Sequence, residues 1–473
     1  MRFNSLEYGV FFAIVVALYY LMNRRLRPYL LFAASLLFYM SWKVEYILLI
    51  LGTLSICYAC LSQMVRQERR RHIWFILCLL FSIAPLCYFK YTNFIIENAT
   101  FVVNSVSGLH LAETQLNIIL PLGISFYTFQ ALSYAIDVHR NRITLCSLPT
   151  FLLYILFFPQ LIAGPIVRGE LLIPQLKHGE LDATPAEFDE GIMLILIGLF
   201  KKVVIADYLA TIVDPFFQDV SSLPRAGLDC MLLLYAFSFQ IYFDFGGYTD
   251  IARGSAKVLG IHLPMNFNFP YVAKNLREFW RRWHITLSTW LRDYLYIPLG
   301  GARKGQKRLY ASLFVTMVLG GLWHGASWTF VLWGVYHGIG LMLTRYYQEM
   351  TAKRCTMHSH EEATSAISIF SILLTYQFVC IGWLFFRAPS IPYVRAYLGN
   401  MLQLRPGYLD SNLSPVSIVL LLSLFIGQFI IYLLRDNLHL PTLRPVKALI
   451  FAILIITITV FSQRGGSFIY FQF

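Results

Sequence analysis

The chain has 473 residues, of which 58% are hydrophobic and only 13% charged, with a mean hydropathy of +0.61. A water-soluble domain is about 45–50% apolar and about 25% charged, so this composition leaves too little polar surface to wrap a soluble globule and points to lipid as the surrounding solvent. The net charge of +13 comes in bursts between apolar runs (Arg24, Arg25 and Arg27; Arg66, Arg69, Arg70 and Arg71; Arg303, Lys304, Lys307 and Arg308). That is the pattern of cytoplasmic loops rather than of a nucleic-acid surface.

Crossing a bilayer takes about 20 mostly apolar residues per helix. Tyr8–Met22 reads as a first span, stopped by Asn23-Arg24-Arg25. Without a strongly basic start or a small-residue cleavage site, it is not expected to be a removable leader. Tyr29–Trp42, Tyr46–Leu61 and Ile73–Phe89 follow, then Leu148–Ile162. Gly164–Glu190 is polar, holds Pro165 and Pro174, and is predicted to be a loop with a short surface helix. Ile192–Val204 and Cys230–Phe243 precede a core region, 244–309, that lacks a clean apolar run yet is rich in Trp, Phe and Tyr. Such a stretch is tolerated at membrane depth only where protein buries it or it lines a wet cavity. Tyr310–Leu322, Trp328–Leu343, Ile367–Phe386, Val416–Leu434 and Ala448–Phe461 complete the series. Several runs are short, so their helices must extend, tilt or re-enter. The expectation is an all-α polytopic membrane protein with roughly 11–13 transmembrane or re-entrant helices in a single domain, 1–473.

With the N-terminus outside, the loops after the first and third spans fall in the cytoplasm, as do Arg140 and Arg142 if Ile118–Ile136 crosses once. The eight cysteines are scattered, mostly inside apolar runs. Cys57 and Cys60 lack a second pair to complete a metal site, so buried thiols are expected, with neither a metal site nor a disulfide framework.

Ionisable groups in apolar surroundings are the best functional signal in such a chain. His324 stands in Gly320-Gly321-Leu322-Trp323-His324-Gly325, where glycines admit a close backbone or substrate. A histidine hydrogen-bonded between helices is the plainer reading. His284 closes Phe279-Trp280-Arg281-Arg282-Trp283-His284. Helical spacing predicts Trp280, His284, Leu287, Leu291 and Leu295 on one face, with Arg281, Arg282 and Arg292 largely elsewhere. This fits an interfacial amphipathic helix, or a cationic hold on an anionic donor such as a pyrophosphate. In Tyr242-Phe243-Asp244-Phe245-Gly246-Gly247-Tyr248-Thr249-Asp250, two carboxylates and two glycines interrupt an apolar run and predict a broken helix that lines a cavity. Spacing alone does not decide whether Asp244 and Asp250 bind an ion, orient a histidine or pair with Arg253.

Taken in order along the chain, Phe157-Phe158-Pro159-Gln160-Leu161-Ile162-Ala163-Gly164-Pro165, the Asp244–Asp250 stretch, Asn266-Phe267-Asn268-Phe269-Pro270, Phe279–Ser288, Asp293–Gly300 and the Trp323-His324-Gly325 core resemble the membrane-bound O-acyltransferases. Within that family they resemble the bacterial alginate and peptidoglycan O-acetylation branch. The resemblance implies helices in a ring around a thinned centre, with a tunnel where donor and acceptor meet. It implies His324 as the catalytic residue and His284 as a second tunnel residue, with Asp244, Asp250, Trp323, Arg281 and Arg282 along the substrate path. His262 and His337 match no catalytic position and are left structural. It further implies acetyl-CoA as donor substrate with no bound cofactor or metal, a periplasmic partner protein, a polysaccharide acceptor and a multi-pass place in the bacterial inner membrane.

The last six residues, Phe468-Ile469-Tyr470-Phe471-Gln472-Phe473, resemble a terminal aromatic motif proposed to carry acyl groups in polysaccharide acylation, which makes Tyr470 a proposed carrier. An interfacial belt tyrosine is the competing reading. A phenol with an ordinary pKa of about 10 needs a base to become a nucleophile, and a neutral imidazole of ordinary pKa about 6.5 suits that task. The alternatives are D-alanyl transfer to teichoic acid, within the same family, and a transporter of an acyl donor or glycan. The chain lacks the matched pair of broken segments usual in the latter.

Overall fold

A computed structural model describes residues 1–108, 110–112, 114–177, 182–224, 226–354, 365–403, 415–434 and 444–462. Among these residues the protein is all-α, without a strand. Glu45–Arg66, Glu68–Ser107, Gly227–Val258 and Ile369–Arg387 are long and apolar enough to cross a bilayer, and Leu6–Leu21, Ile418–Leu434 and Pro445–Phe461 are shorter apolar helices. Leu422, Ile426 and Ile430, four residues apart on one helix face, are exposed, as suits a surface solvated by lipid rather than water. The chain is a multi-pass membrane protein.

By contact the chain divides into two compact units, Met1–Ile195 with Tyr248–Pro264, and Leu196–Gly247 with Met265–Phe473. In the first, Ser5 caps the opening helix by accepting from the Tyr8 amide, and tyrosine hydroxyls bind distant elements. Tyr8 shares a hydrogen bond with Ser255 at 2.8 Å, and Tyr20 donates to the Val258 carbonyl at 2.7 Å. The buried Arg27 and the exposed Arg24 each lie 2.5 Å from a carboxylate oxygen of Asp182. The Arg27 hydrogen bond, with that of Arg24, holds the Asp182 carboxyl below its ordinary range. The short helix predicted within Gly164–Glu190 lies at Gly169–Lys177. The seven described cysteines are free thiols, and Cys57 and Cys60 are both buried.

The second unit departs from the sequence expectations in two places. The helix expected to break near Asp244–Asp250 belongs to an uninterrupted run, Gly227–Val258. Gly247 serves close packing instead of a break, since a Cβ there would stand 2.6 Å from the Gly198 carbonyl oxygen. Only a glycine lets two backbones meet that closely. The amphipathic helix expected through residue 295 is instead Leu276–Arg282 and Ile285–Leu291, followed by the π-helical turn Arg292–Tyr296. His284 stands at the joint with φ 42° and ψ 55°, in the left-handed region that a bulky residue enters only under constraint. Trp280 and His284 therefore do not share one continuous helix face.

Candidate active site

His324 is positioned by a helical hairpin. Gln306–His324 ends on the histidine, and Trp328–Arg354 returns beside it. The two helices approach through small residues: a Cβ on Gly321 would lie 2.3 Å from the Phe330 carbonyl oxygen, and one on Gly334 2.5 Å from that of Met317. Gly325, directly after the histidine, leaves room for the Phe330 ring, whose Cε2 is 2.1 Å from where a Cβ of residue 325 would stand. The glycines around His324 thus let the return helix press a ring against the chain beside the imidazole. The His324 side chain itself is buried, 8% exposed.

His284 reaches the same place from the other direction. Its left-handed turn is clamped by Asn266, whose carbonyl accepts from the Ile285 amide at 2.9 Å and whose Oδ1 accepts from the Thr286 hydroxyl at 2.6 Å. One residue pair further out, the Asn268 amide donates to the Arg282 carbonyl at 3.0 Å. Backbone strain of this kind costs about 1–3 kcal/mol and persists only where surroundings over-determine it. The imidazole is fully buried, against Phe245 at 4.7 Å between ring centroids and Trp323 at 6.5 Å. Burial pushes it down to about 3, so it is neutral at physiological pH. Trp323 also packs on His324 at 4.9 Å, so a single indole contacts both histidines.

Phe245 follows Asp244, and Asp244 belongs to a buried ionic cluster. Lys202 Nζ lies 2.5 Å from Asp244 Oδ1 and 2.8 Å from Asp207 Oδ1, with all three side chains at most 6% exposed. Lys202 comes from a π-helical segment, Phe200–Ala206, whose extra residue re-aims side chains within an otherwise α-helical run. In sequence, Lys202 is the second half of Lys201-Lys202 inside an apolar span, and an intramembrane lysine without an assigned carboxylate was the missed signal.

A cavity of about 490 Å³ opens beside this site, lined by Arg277, Arg281, Arg292 and Arg345 together with Trp280 and Met317. Arg292 and Arg345 have carboxylate partners, Asp293 and Glu349, each at 2.7 Å. Among the described residues, Arg277 and Arg281 have none. Desolvation, reinforced by the like charges of Arg281 and Arg345, draws Arg277 below its ordinary value, so this wall favours an anion. Trp280 connects the cavity to the histidines: its ring lies 5.6 Å from Trp333, and Trp333 lies 5.1 Å from His324. Among the described residues no group of three His, Cys, Asp or Glu side chains is placed to hold a metal ion.

The residues singled out in sequence thus separate. His324, His284 and Trp323 come together, Arg281 lines the cavity, and Asp244 pairs with Lys202. Arg282 instead donates to Glu278 at 2.7 Å and lies over the Tyr432 ring at 5.0 Å. Asp250 pairs with Arg253 at 3.3 Å, and Tyr470 lies outside the described residues. Chemically, the core is a dry aromatic site with two imidazoles, one base-capable ring beside a cationic vestibule.

The profile of the membrane-bound O-acyltransferase family matches residues 38–386. A probable alginate O-acetylase of Pseudomonas aeruginosa is 39% identical over 386 residues, covering 81% of this chain and 71% of that protein. A peptidoglycan O-acetyltransferase of Helicobacter pylori is 38% identical over 400 residues, covering 78% and 73%. A teichoic acid D-alanyltransferase of Bacillus subtilis is 31% identical over 284 residues, covering 57% and 69%. On this evidence the chain belongs to the membrane-bound O-acyltransferase family and is an acyltransferase.

Proposed function

We propose that the protein moves acetyl groups from cytoplasmic acetyl-CoA across the membrane for O-acetylation of an extracytoplasmic polysaccharide, alginate-like or peptidoglycan. The observation that carries the donor assignment is the arginine-lined cavity, whose Trp280 wall packs on Trp333, the ring that lies against His324. CoA presents several phosphate charges, and guanidinium groups are the side chains best matched to them. The names of the more similar relatives favour acetyl over D-alanyl transfer, since the teichoic acid enzyme matches a smaller share of the chain.

His324 acts as general base. It takes the proton of an attacking hydroxyl, the new C–O bond forms at the thioester carbonyl, the C–S bond breaks, and the departing CoA thiolate recovers the proton from the imidazolium. We assign the first hydroxyl to Tyr470, which would then hold an aryl acetate reactive enough to pass its acetyl group to a periplasmic partner acting on the glycan. The chain sits in the bacterial inner membrane with its N-terminus outside, which puts the basic loops in the cytoplasm.

The test is reconstitution with acetyl-CoA. His324→Ala should lower acetyl transfer by about 10²–10⁴-fold, and full activity in that variant would remove the mechanism. Mass spectrometry of the C-terminal peptide should show a gain of about 42 units at Tyr470 under the covalent relay. Acetylation that survives Tyr470→Phe would discard the relay and leave the enzyme in place. A transporter without bond chemistry would move its cargo equally well with His324→Ala.

A further inference from the structure

His324 is boxed by rings. Trp323, Trp333 and Phe386 surround it at centroid distances of 4.9, 5.1 and 5.1 Å, each near perpendicular at 73°, 82° and 72°. Phe386 is itself backed by Phe330 at 5.0 Å and Trp383 at 5.6 Å, and none of these rings is more than 6% exposed. Phe330 is wedged into the space left by the missing side chain of Gly325, so it has little freedom to yield. Protein interiors are close-packed, and rigid rings do not make way for an added methylene without cost.

The geometry of acyl transfer brings this wall to bear on the substrate. A base must lie about 2.6–3.2 Å from the oxygen it deprotonates, and that oxygen about 3–3.5 Å from the carbonyl carbon. The acyl chain therefore begins within a few ångströms of the rings around His324. Of these, Trp333 contacts Trp280 of the cavity wall, on the side from which the donor arrives. Among the described residues, the rings that back Phe386 on its far side are Phe330 and Trp383. We propose that Phe386, braced by Phe330, is the residue that limits the transferred acyl group to two carbons. This rests on the acyl-transfer role given to His324 above.

The experiment compares acetyl-CoA with propionyl-CoA and butyryl-CoA as donors for the full chain in proteoliposomes. One methylene against a fitted apolar wall is worth about 10–200-fold in kcat/KM, and the wild type should prefer acetyl over propionyl by that factor. Phe386→Leu should cut the preference about tenfold, mainly by raising propionyl transfer, and Phe386→Ala should admit butyryl. Phe237→Leu, at a fully buried ring elsewhere in the core, should leave the ratio unchanged. The proposal is overturned if Phe386→Leu keeps both its acetyl transfer and the wild-type ratio. It is equally overturned if that variant loses acetyl transfer altogether, or if Phe237→Leu shifts the ratio as much. Should the alanine variant fail to fold, the leucine variant decides, because it changes less volume. If the wild type uses none of the three thioesters, the CoA assignment is what fails. The ratio is then read in propionate-fed cells, as acetyl and propionyl esters released from the polysaccharide.

Discussion

Lys202 and Asp244 meet at 2.5 Å with both side chains almost wholly buried, and the residue after Asp244 is the phenylalanine that packs against His284. Asp207 completes the cluster from the other side of the ammonium. Burying a charge costs several kcal/mol, and a buried pair repays that only when its geometry is good. Removing one partner is worse, because the charge left behind stays desolvated. Lys202→Met should therefore destabilise the protein by about 3–5 kcal/mol and lower acyl transfer with it. The triple change Lys202→Met, Asp207→Asn, Asp244→Asn, which leaves no unpaired charge, should recover most of the stability. Thermal unfolding in detergent, read by intrinsic fluorescence, checks the order. A triple variant no more stable than the single one would show that the cluster is not held together by charge.

The cavity arginines make a separate prediction about donor binding. Arg277 and Arg281 line the cavity without ion-pair partners among the described residues, so their charges are available to a phosphate. Hydrogen bonds to charged groups contribute about 1.5–3 kcal/mol, which corresponds to about 10–150-fold in affinity. Arg281→Gln should raise KM for acetyl-CoA within that range with little change in kcat, because the contact is uniform through the reaction. A small acetyl thioester without phosphates should be used equally by both proteins. Arg282→Gln should show a different pattern, since Arg282 holds Glu278 and the Asn268 carbonyl and so supports the His284 turn. Its loss should lower kcat and stability together and leave KM nearly as it was.

What was legible in sequence follows from which interactions are local. Apolar runs declare lipid-facing helices because their composition alone decides the solvent, and an ionisable residue such as His324 between glycines stands out for the same reason. The break at His284 was not legible. It is imposed by Asn266, about twenty residues away, whose bonds to Ile285 and Thr286 hold a backbone conformation that local spacing would not choose. The unbroken run through Asp244 was misread for the matching reason. Two carboxylates and two glycines look like a helix breaker until Gly198 is seen against Gly247 and Lys202 against Asp244. Arg281 and Arg282 are adjacent and chemically identical, yet one faces a cavity and the other a glutamate. Only packing distinguishes them.

The Asn266 clamp can be tested directly. Asn266 is fully buried, and Asn266→Ala removes the Oδ1 acceptor that holds both the Thr286 hydroxyl and the Thr286 amide. The backbone bond from Ile285 to the Asn266 carbonyl remains, so the fold should survive with a loss of about 1–2 kcal/mol. The turn that holds His284 should loosen, and kcat should fall about tenfold or more, since small misplacements of a catalytic group are costly. Thr286→Val, which removes the hydroxyl but keeps the backbone amide bond to Oδ1, should reproduce part of the effect, and adding it to Asn266→Ala should cost little more. Fully additive losses would show that the two residues do not act through a shared bond.

The His284 imidazole gives the pH prediction. Burial pushes it down to about 3, below the ordinary value of about 6.5, so the folded protein keeps it neutral while the unfolded chain protonates it. The stability this neutral ring permits is fully present above about pH 6.5 and is lost as pH falls from there towards the folded value. By pH 5 the loss should be on the order of 2 kcal/mol. His284→Gln cannot take up that proton, so the difference in stability between wild type and variant should shrink on acidification from pH 7.5 to pH 5. The same argument fixes the kinetics. An imidazole neutral throughout contributes no ionisation between pH 5 and pH 9, so His284→Gln should lower kcat/KM without moving the limbs of its pH profile. A limb near pH 6.5 that disappears in His284→Gln would show that His284 titrates during turnover. His284 would then act as an acid–base group in its own right rather than as a neutral ring packed against Trp323.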